Sequence, residues 1–323
     1  ILSTTFKEDF YTRLENDFFS GIGGVSVYSS KEKGKFKFKL GIQSYLITGD
    51  SYTETNLYYF PDIMITFKSE NSNFAPFLNL NGEFYQNSFR ALSHSNPYIA
   101  PAIRLRSSFS PYKIELGTRS SLSKGWEFQW NLFYSSEENR PMFRNFGKNF
   151  DINNIIPYRF GNSFEVIYPS LINSGIKAKL KAVFKNGGRL NFEAAYFNYD
   201  LSDKTPQLFE PLNLPEISLQ FDGTLKISNK IFLQLFLKYV GDRTNSFRDI
   251  FLGQNIEDSP VLFETLNPFT QIDANIQYKL NDRWEVFLRG KNLMNQNQFF
   301  WSNYTVYPTQ ISLGLKYNFD VSF

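Results

Sequence analysis

Strict alternation of large apolar and polar residues dominates this sequence and leaves few ways for it to fold. At the C-terminal end Ile311, Leu313, Leu315, Tyr317, Phe319, Val321 and Phe323 hold one parity. Ser312, Gly314, Lys316, Asn318, Asp320 and Ser322 hold the other. A strand sends successive side chains to opposite faces, so this segment has one oily face and one wet face. The pattern recurs. Ile272 to Leu280 alternate with Asp273, Asn275, Gln277 and Lys279, and Ile217 to Ile227 with Ser218, Gln220, Asp222, Thr224 and Lys226. Ile176 to Phe184 face away from Lys177, Lys179 and Lys181, and Trp126 to Tyr134 from Glu127, Gln129 and Asn131. Helical periodicity is hard to find.

A soluble β-sandwich also alternates. Three features point instead to strands that cross a bilayer. The strands run about 9 to 13 residues, near the length a tilted membrane strand needs. Their oily faces carry very large side chains, in a chain that is 18% aromatic. Short and long connections also take turns. Asn281-Asp282-Arg283, Ser228-Asn229-Lys230 and Lys185-Asn186-Gly187-Gly188 read as tight turns, whereas 135–174, 198–215, 241–270 and 292–308 are long. The fold class that results is all-β, a transmembrane antiparallel up-and-down β-barrel with long extracellular loops and short periplasmic turns. That orientation leaves the C-terminus in the periplasm.

The pattern gives about 14 strands, with an even total expected between about 12 and 16. They fall near 18–29, 34–46, 57–68, 76–86, 100–107, 112–119, 126–134, 175–184, 189–197, 216–227, 231–240, 271–280, 284–292 and 309–323. Residues 100–119 could instead be one strand bent around Ser110-Pro111, and 1–13 and 163–169 could each add one. Trp126 and Trp284 open strands that rise from short turns, and Tyr134, Tyr196 and Tyr239 close rising strands. Amphipathic rings at both ends make a membrane girdle.

Composition closes other routes. No run of ~18 apolar residues exists for a transmembrane helix. With no Cys and one His, disulfides, thiolate metal sites and His-rich metal sites are excluded, and no cofactor is expected. A net charge of +3 does not suggest nucleic acid. No signal peptide opens the chain, which is therefore mature or a piece of something longer. Enzymatic readings fail on inventory, because His94 sits in a Ser- and Pro-bearing connector and the neighbouring Glu137 and Glu138 point apart if extended. The glycines Gly21, Gly23 and Gly24 precede no helix and mark a strand bend rather than a phosphate loop.

Residues Phe287-Leu288-Arg289-Gly290-Lys291-Asn292-Leu293-Met294-Asn295-Gln296, followed by Tyr307-Pro308, carry a family likeness. So does the C-terminal Ser312-x-Gly314-x-x-Tyr317-x-Phe319. This region, clearest over 217–323, resembles the C-terminal barrel of TonB-dependent outer-membrane receptors, especially Bacteroidetes forms. The resemblance implies that Gly314, Tyr317, Phe319 and the terminal Phe323 form the signal read by the barrel-assembly machinery during insertion. Complete receptors of that family have a roughly 22-stranded barrel closed by a plug. The chain is read as one barrel domain over 1–323, without plug.

On the wet parity Lys35, Lys37 and Lys39, then Arg104 and Arg106, then Lys177, Lys179 and Lys181 form basic stripes. They indicate an anion-preferring lumen, or a merely hydrated one balanced by Glu83, Glu115, Glu127 and Asp222. The long loops are aromatic. Phe299, Phe300, Trp301, Tyr304 and Tyr307 cluster in one. Phe143, Phe146, Phe150, Tyr158 and Phe160 lie with Arg140, Arg144 and Arg159 in another. Such residues suit either an interaction surface or a lid of loops packed on each other. The functional expectation is a non-enzymatic barrel of the bacterial outer membrane, in contact with lipid and lipopolysaccharide. It acts as a subunit of a larger complex with a protein partner there. The alternatives are the barrel part of a TonB-dependent uptake receptor and a passive diffusion pore.

Overall fold

The computed structural model describes residues 20–49, 52–68, 73–101, 103–147, 161–202, 204, 208–248, 260–296 and 299–319. Thirteen strands form one sheet. In chain order the first half contributes β1 (Ser20–Lys33), β2 (Phe36–Gly49), β3 (Tyr52–Phe67), β4 (Phe74–Tyr85), β5 (Ser108–Ser123) and β6 (Trp126–Glu137). The second half adds β9 (Leu171–Val183), β10 (Arg189–Leu201), β11 (Ile217–Lys226), β12 (Ile231–Val240), β15 (Phe269–Lys279), β16 (Trp284–Lys291) and β19 (Gln310–Tyr317). Every strand pairs antiparallel with its predecessor in that order. An even number of reversals separates β1 from β19, so the two outermost strands run the same way. Pairing them edge to edge would put one parallel pair in an otherwise antiparallel wall.

Register turns the alternation into two coherent faces. Leu225, Leu233, Ile276, Leu288 and Leu313 are successive cross-strand partners from β11 to β19. One residue away, Thr224, Gln234, Asn275, Arg289 and Ser312 form the parallel row on the opposite face. A second sheet would cover the apolar row, but among the described residues none does: Val25, Ile311 and Leu313 are 67%, 73% and 75% exposed. An uncovered apolar face of this extent is incompatible with water and argues against a sandwich.

The expected strand at 100–107 does not form. Ile103 packs into a hydrophobic cluster and Ala100 donates to the carbonyl of Phe164, so the segment serves tertiary contacts instead. β5 begins at Ser108 and runs through Pro111. Proline has no N–H to give the ladder, and the register against β4 slips there, between Asn81 and Glu83. The bulge lets one strand continue where two were counted. The thirteen wall strands are one fewer than the fourteen counted, because of this segment. Residues 1–13 and Arg159, Phe150, Tyr158, Phe160 and Phe323 lie outside the described residues.

Connections at one sheet end are short, at Gly34–Lys35, Lys124–Gly125, 184–188, 227–230 and 280–283. At the other end most are long, and they fold into a layer. It contains α1 (Phe89–Ser95), β7 (Met142–Asn145), β8 (Phe164–Ile167), β13 (Arg243–Arg248), β14 (Val261–Leu266), β17 (Phe299–Trp301) and β18 (Tyr304–Thr305). Strand β8 occupies the 163–169 region, but it pairs within this layer and not in the wall.

Candidate functional site at the long-connection end

Loops normally contribute backbone that must find its own partners. Here five connections supply those partners to one another. β14, β13, β7 and β8 make a four-stranded sheet, with a parallel step between Phe247 and Asn145. A further bridge joins Leu212 to Thr244. Two buried clusters hold the layer together. Leu92, Ile99, Phe143, Phe164 and Trp301 form the first, and Met142, Leu171, Leu201, Leu208 and Leu212 the second.

The aromatic loop residues divide accordingly. Trp301 is buried, with ring centroids 5.1 Å from Phe143 and 5.6 Å from Phe164. Tyr304 stacks on Tyr98, and its hydroxyl donates to the carbonyl of Asn162. Phe143 and Phe146 are buried too. Phe299, Phe300 and Tyr307 remain exposed. Packing therefore accounts for part of the aromatic content, and an outward-facing remainder stays available for contact.

The arginines also divide. Arg140 pairs with Glu137 at the rim of β6. Arg144 is buried and reaches Glu165 at 3.3 Å. Arg243, which sequence reasoning passed over, is a clamp. Its guanidinium donates to the carbonyls of Phe299 and Phe300, both at 2.7 Å, and lies over the rings of Phe269 and Phe300. Burial pulls the guanidinium groups of Arg144 and Arg243 below the usual arginine range, with Glu165 opposing the effect at Arg144. Nothing local in the sequence marks Arg243, since its partners lie more than fifty residues away. Lysine in its place lacks the planar fork that holds the two carbonyls on separate nitrogens. Arg243→Lys should cost about 1.5–3 kcal/mol locally and speed amide hydrogen exchange in the 299–305 hairpin while leaving the wall strands unchanged.

The polar face below the layer is charged, and some of its cations are paired. Lys39 lies 2.5 Å from Asp62, Lys113 3.1 Å from Glu115, and Lys37 3.7 Å from Glu32. Lys179 pairs with Glu193. Arg104 and Arg106 are not on this face, because 100–107 is no strand; Asn87 donates to the Arg106 carbonyl. Two hollows open on the face. One, of about 820 Å3, includes Lys181, Arg189, Arg289 and Lys291 with Asp222 and Asp273. The other, of about 630 Å3, lies between the wall and the layer, bounded by wall residues such as Phe133 and Phe197 and layer residues such as Phe143 and Trp301.

The residues expected to form a girdle sit on the apolar parity. Trp126 opposes Ala182 and Trp284 opposes Tyr317 near the short turns. Tyr134, Tyr196 and Tyr239 lie toward the long-connection end, opposite Ser174, Ile176 and Leu219. In β19 the ring of Phe287 lies across Gly314, where an added Cβ would come within 2.2 Å of it. Tyr317 and Phe319 meet edge to face, with centroids 4.6 Å apart. His94 is exposed in the last turn of α1. Among the described residues no group of acidic and histidine side chains is arranged to hold a metal.

No family model matches the sequence, and no curated protein does either. Solved structures match in fold. The pyoverdine outer-membrane receptor FpvA of Pseudomonas aeruginosa aligns with 96% of this chain and 44% of its own, at TM-score 0.64 and 11% identity. The ferric-catecholate import receptor Fiu of E. coli K12 aligns with 94% of this chain and 45% of its own, at 0.65 and 12%. The FrpB iron transporter of Neisseria meningitidis gives 94%, 46%, 0.61 and 13%. The fold is thus that of an outer-membrane antiparallel β-barrel wall, and the chain spans less than half the length of these structures.

Proposed function

We propose that the chain forms part of the barrel wall of a TonB-dependent-type uptake receptor in the bacterial outer membrane. The observation that carries this is the pairing of an uncovered apolar face with a polar face capped at one end by an interlocked layer. Lipid covers the apolar face, and a solute meets the layer first. The layer is extracellular, the short turns are periplasmic, and β19 ends in the periplasm after insertion by the barrel-assembly machinery. Lipopolysaccharide then borders the tyrosines of the upper girdle.

This reading favours the receptor over the complex subunit as the primary role. The subunit role rested on a missing plug, which a chain spanning under half of its structural neighbours does not address. A protein partner remains part of the proposal, because Phe299, Phe300 and Tyr307 face outward from the layer.

The absence of cysteine makes the topology directly testable. Tyr307→Cys should react with a membrane-impermeant maleimide on intact cells. Asn229→Cys, in a short turn, should react only after the outer membrane is permeabilised. The reverse pattern would invert the orientation, and labelling of both in a soluble fraction would remove the membrane placement.

A further inference from the structure

Among the described residues bordering the hollow between wall and layer, Lys177 is a cation without an ion pair. Lys177 lies on the polar face of β9, half-buried. Its ammonium is 4.6 Å from the ring centroid of Phe133 and 5.5 Å from that of Phe197. These two rings come from the strands on either side, and both are in register with Gly175. Their centroids are 5.7 Å apart, and a Cβ on Gly175 would lie 2.0 Å from the Tyr196 carbonyl oxygen and 3.1 Å from the Phe133 ring, so the missing side chain leaves room for both. The rings fix the lysine in place without supplying a counter-charge.

Among the described residues no carboxylate lies within 4 Å of Lys177. The charges that act on it are Lys113, which disfavours the ammonium, and Glu115 and Glu137, which favour it. Both acids are committed elsewhere, Glu115 to Lys113 and Glu137 to Arg140. A partly desolvated ammonium without an ion pair gains from an anion that joins it. The surrounding walls mix rings, including Phe109, Phe143 and Trp301, with polar groups such as Ser108, Ser135 and Asn173. A half-open hollow of about 630 Å3 with several rings and a fixed charge has the size of a small-molecule site. Glu83 and Glu138 also border it, so a second negative charge on the ligand would meet carboxylates.

We propose that this hollow binds a compact organic monoanion of the aromatic carboxylate class, its carboxylate on Lys177 and its ring against Phe133 and Trp301. The proposal rests on the receptor reading for the side of entry and deepens it by naming the solute class.

The test is binding to the full chain purified in detergent, read as quenching of tryptophan fluorescence by 4-nitrobenzoate. The neutral 4-nitrobenzyl alcohol and the dianionic 4-nitrophthalate serve as comparisons. Saturable quenching by 4-nitrobenzoate is expected, with both comparison compounds at least tenfold weaker. Lys177→Met, which keeps the stem and loses the charge, should weaken 4-nitrobenzoate at least tenfold. Lys177→Arg should retain binding and so show that the position tolerates substitution, and Lys230→Met in a short turn should change nothing. Equal quenching by acid and alcohol, purely linear quenching, or unchanged binding by Lys177→Met would overturn the proposal. The readout does not depend on cellular location. Failure of the cysteine-labelling pattern would therefore remove the receptor reading alone, and failure here would remove the ligand class alone.

Discussion

Arginine in place of Phe221 should prevent the barrel from assembling, whereas arginine in place of its neighbour Gln220 should be tolerated. Phe221 lies midway along β11, flanked on the apolar face by Phe192 and Leu237. A guanidinium at this depth on a lipid-facing strand costs about 2–4 kcal/mol, with the lost burial of the ring added to it. Gln220 points the other way, between Glu193 and Lys238. Its replacement forfeits a hydrogen bond to Asp222 at 2.9 Å, about 1 kcal/mol, and places a cation beside Glu193. The two chains differ in composition by almost nothing, so solubility and expression do not separate them. The measurement is the fraction that reaches the folded band on an unheated gel after insertion into liposomes. Equal yields for both variants would show that the apolar face does not contact hydrocarbon.

Trp301→Ala should melt the layer and leave the wall standing. The indole fills the space between Phe143 and Phe164, two residues of one long connection, while itself belonging to another. Truncating a buried tryptophan costs about 3–5 kcal/mol. The wall is held by its own continuous ladder, so the loss falls on the elements that have no other anchor. Trypsin should then cut at Arg144 and Arg243, both buried in the wild-type layer. Protected wall fragments should persist. Trp301→Phe should show a much smaller effect, since a ring remains between the same partners. Resistance of the alanine variant to trypsin would mean that the cluster of Met142 and Leu212 holds the layer without it.

Much of the wall was legible because its signal is local. Phe192, Phe221 and Leu237 announce their face through their immediate neighbours in sequence, and the register merely aligns them. The reading failed at 100–107, where Ile103 and Leu105 alternate with Arg104 and Arg106 as a strand would. There Ala100 bonds to Phe164 and Ile103 packs beside it, contacts more than sixty residues long in sequence. Pro111 misled in the opposite sense, since a proline that breaks a ladder can be absorbed by a bulge. The site was less legible than the fold. Lys177 appeared in sequence only as one of three alternating lysines, yet Lys179 has a carboxylate partner and Lys177 has two rings.

The sequence by itself determined which side of each strand is oily, where the short turns fall, and that helices and thiol or histidine metal chemistry have little part in this chain. These follow from side-chain chemistry at spacings of one or two residues. Only the tertiary structure decided that the long connections interlock as one layer, that Trp301 is buried while Phe299 and Phe300 are not, and that Gly175 lets two rings close over Lys177. Each of those depends on which distant segments become neighbours. Register and packing choose those neighbours, and an alternating pattern is equally satisfied by many pairings until the whole sheet is assembled.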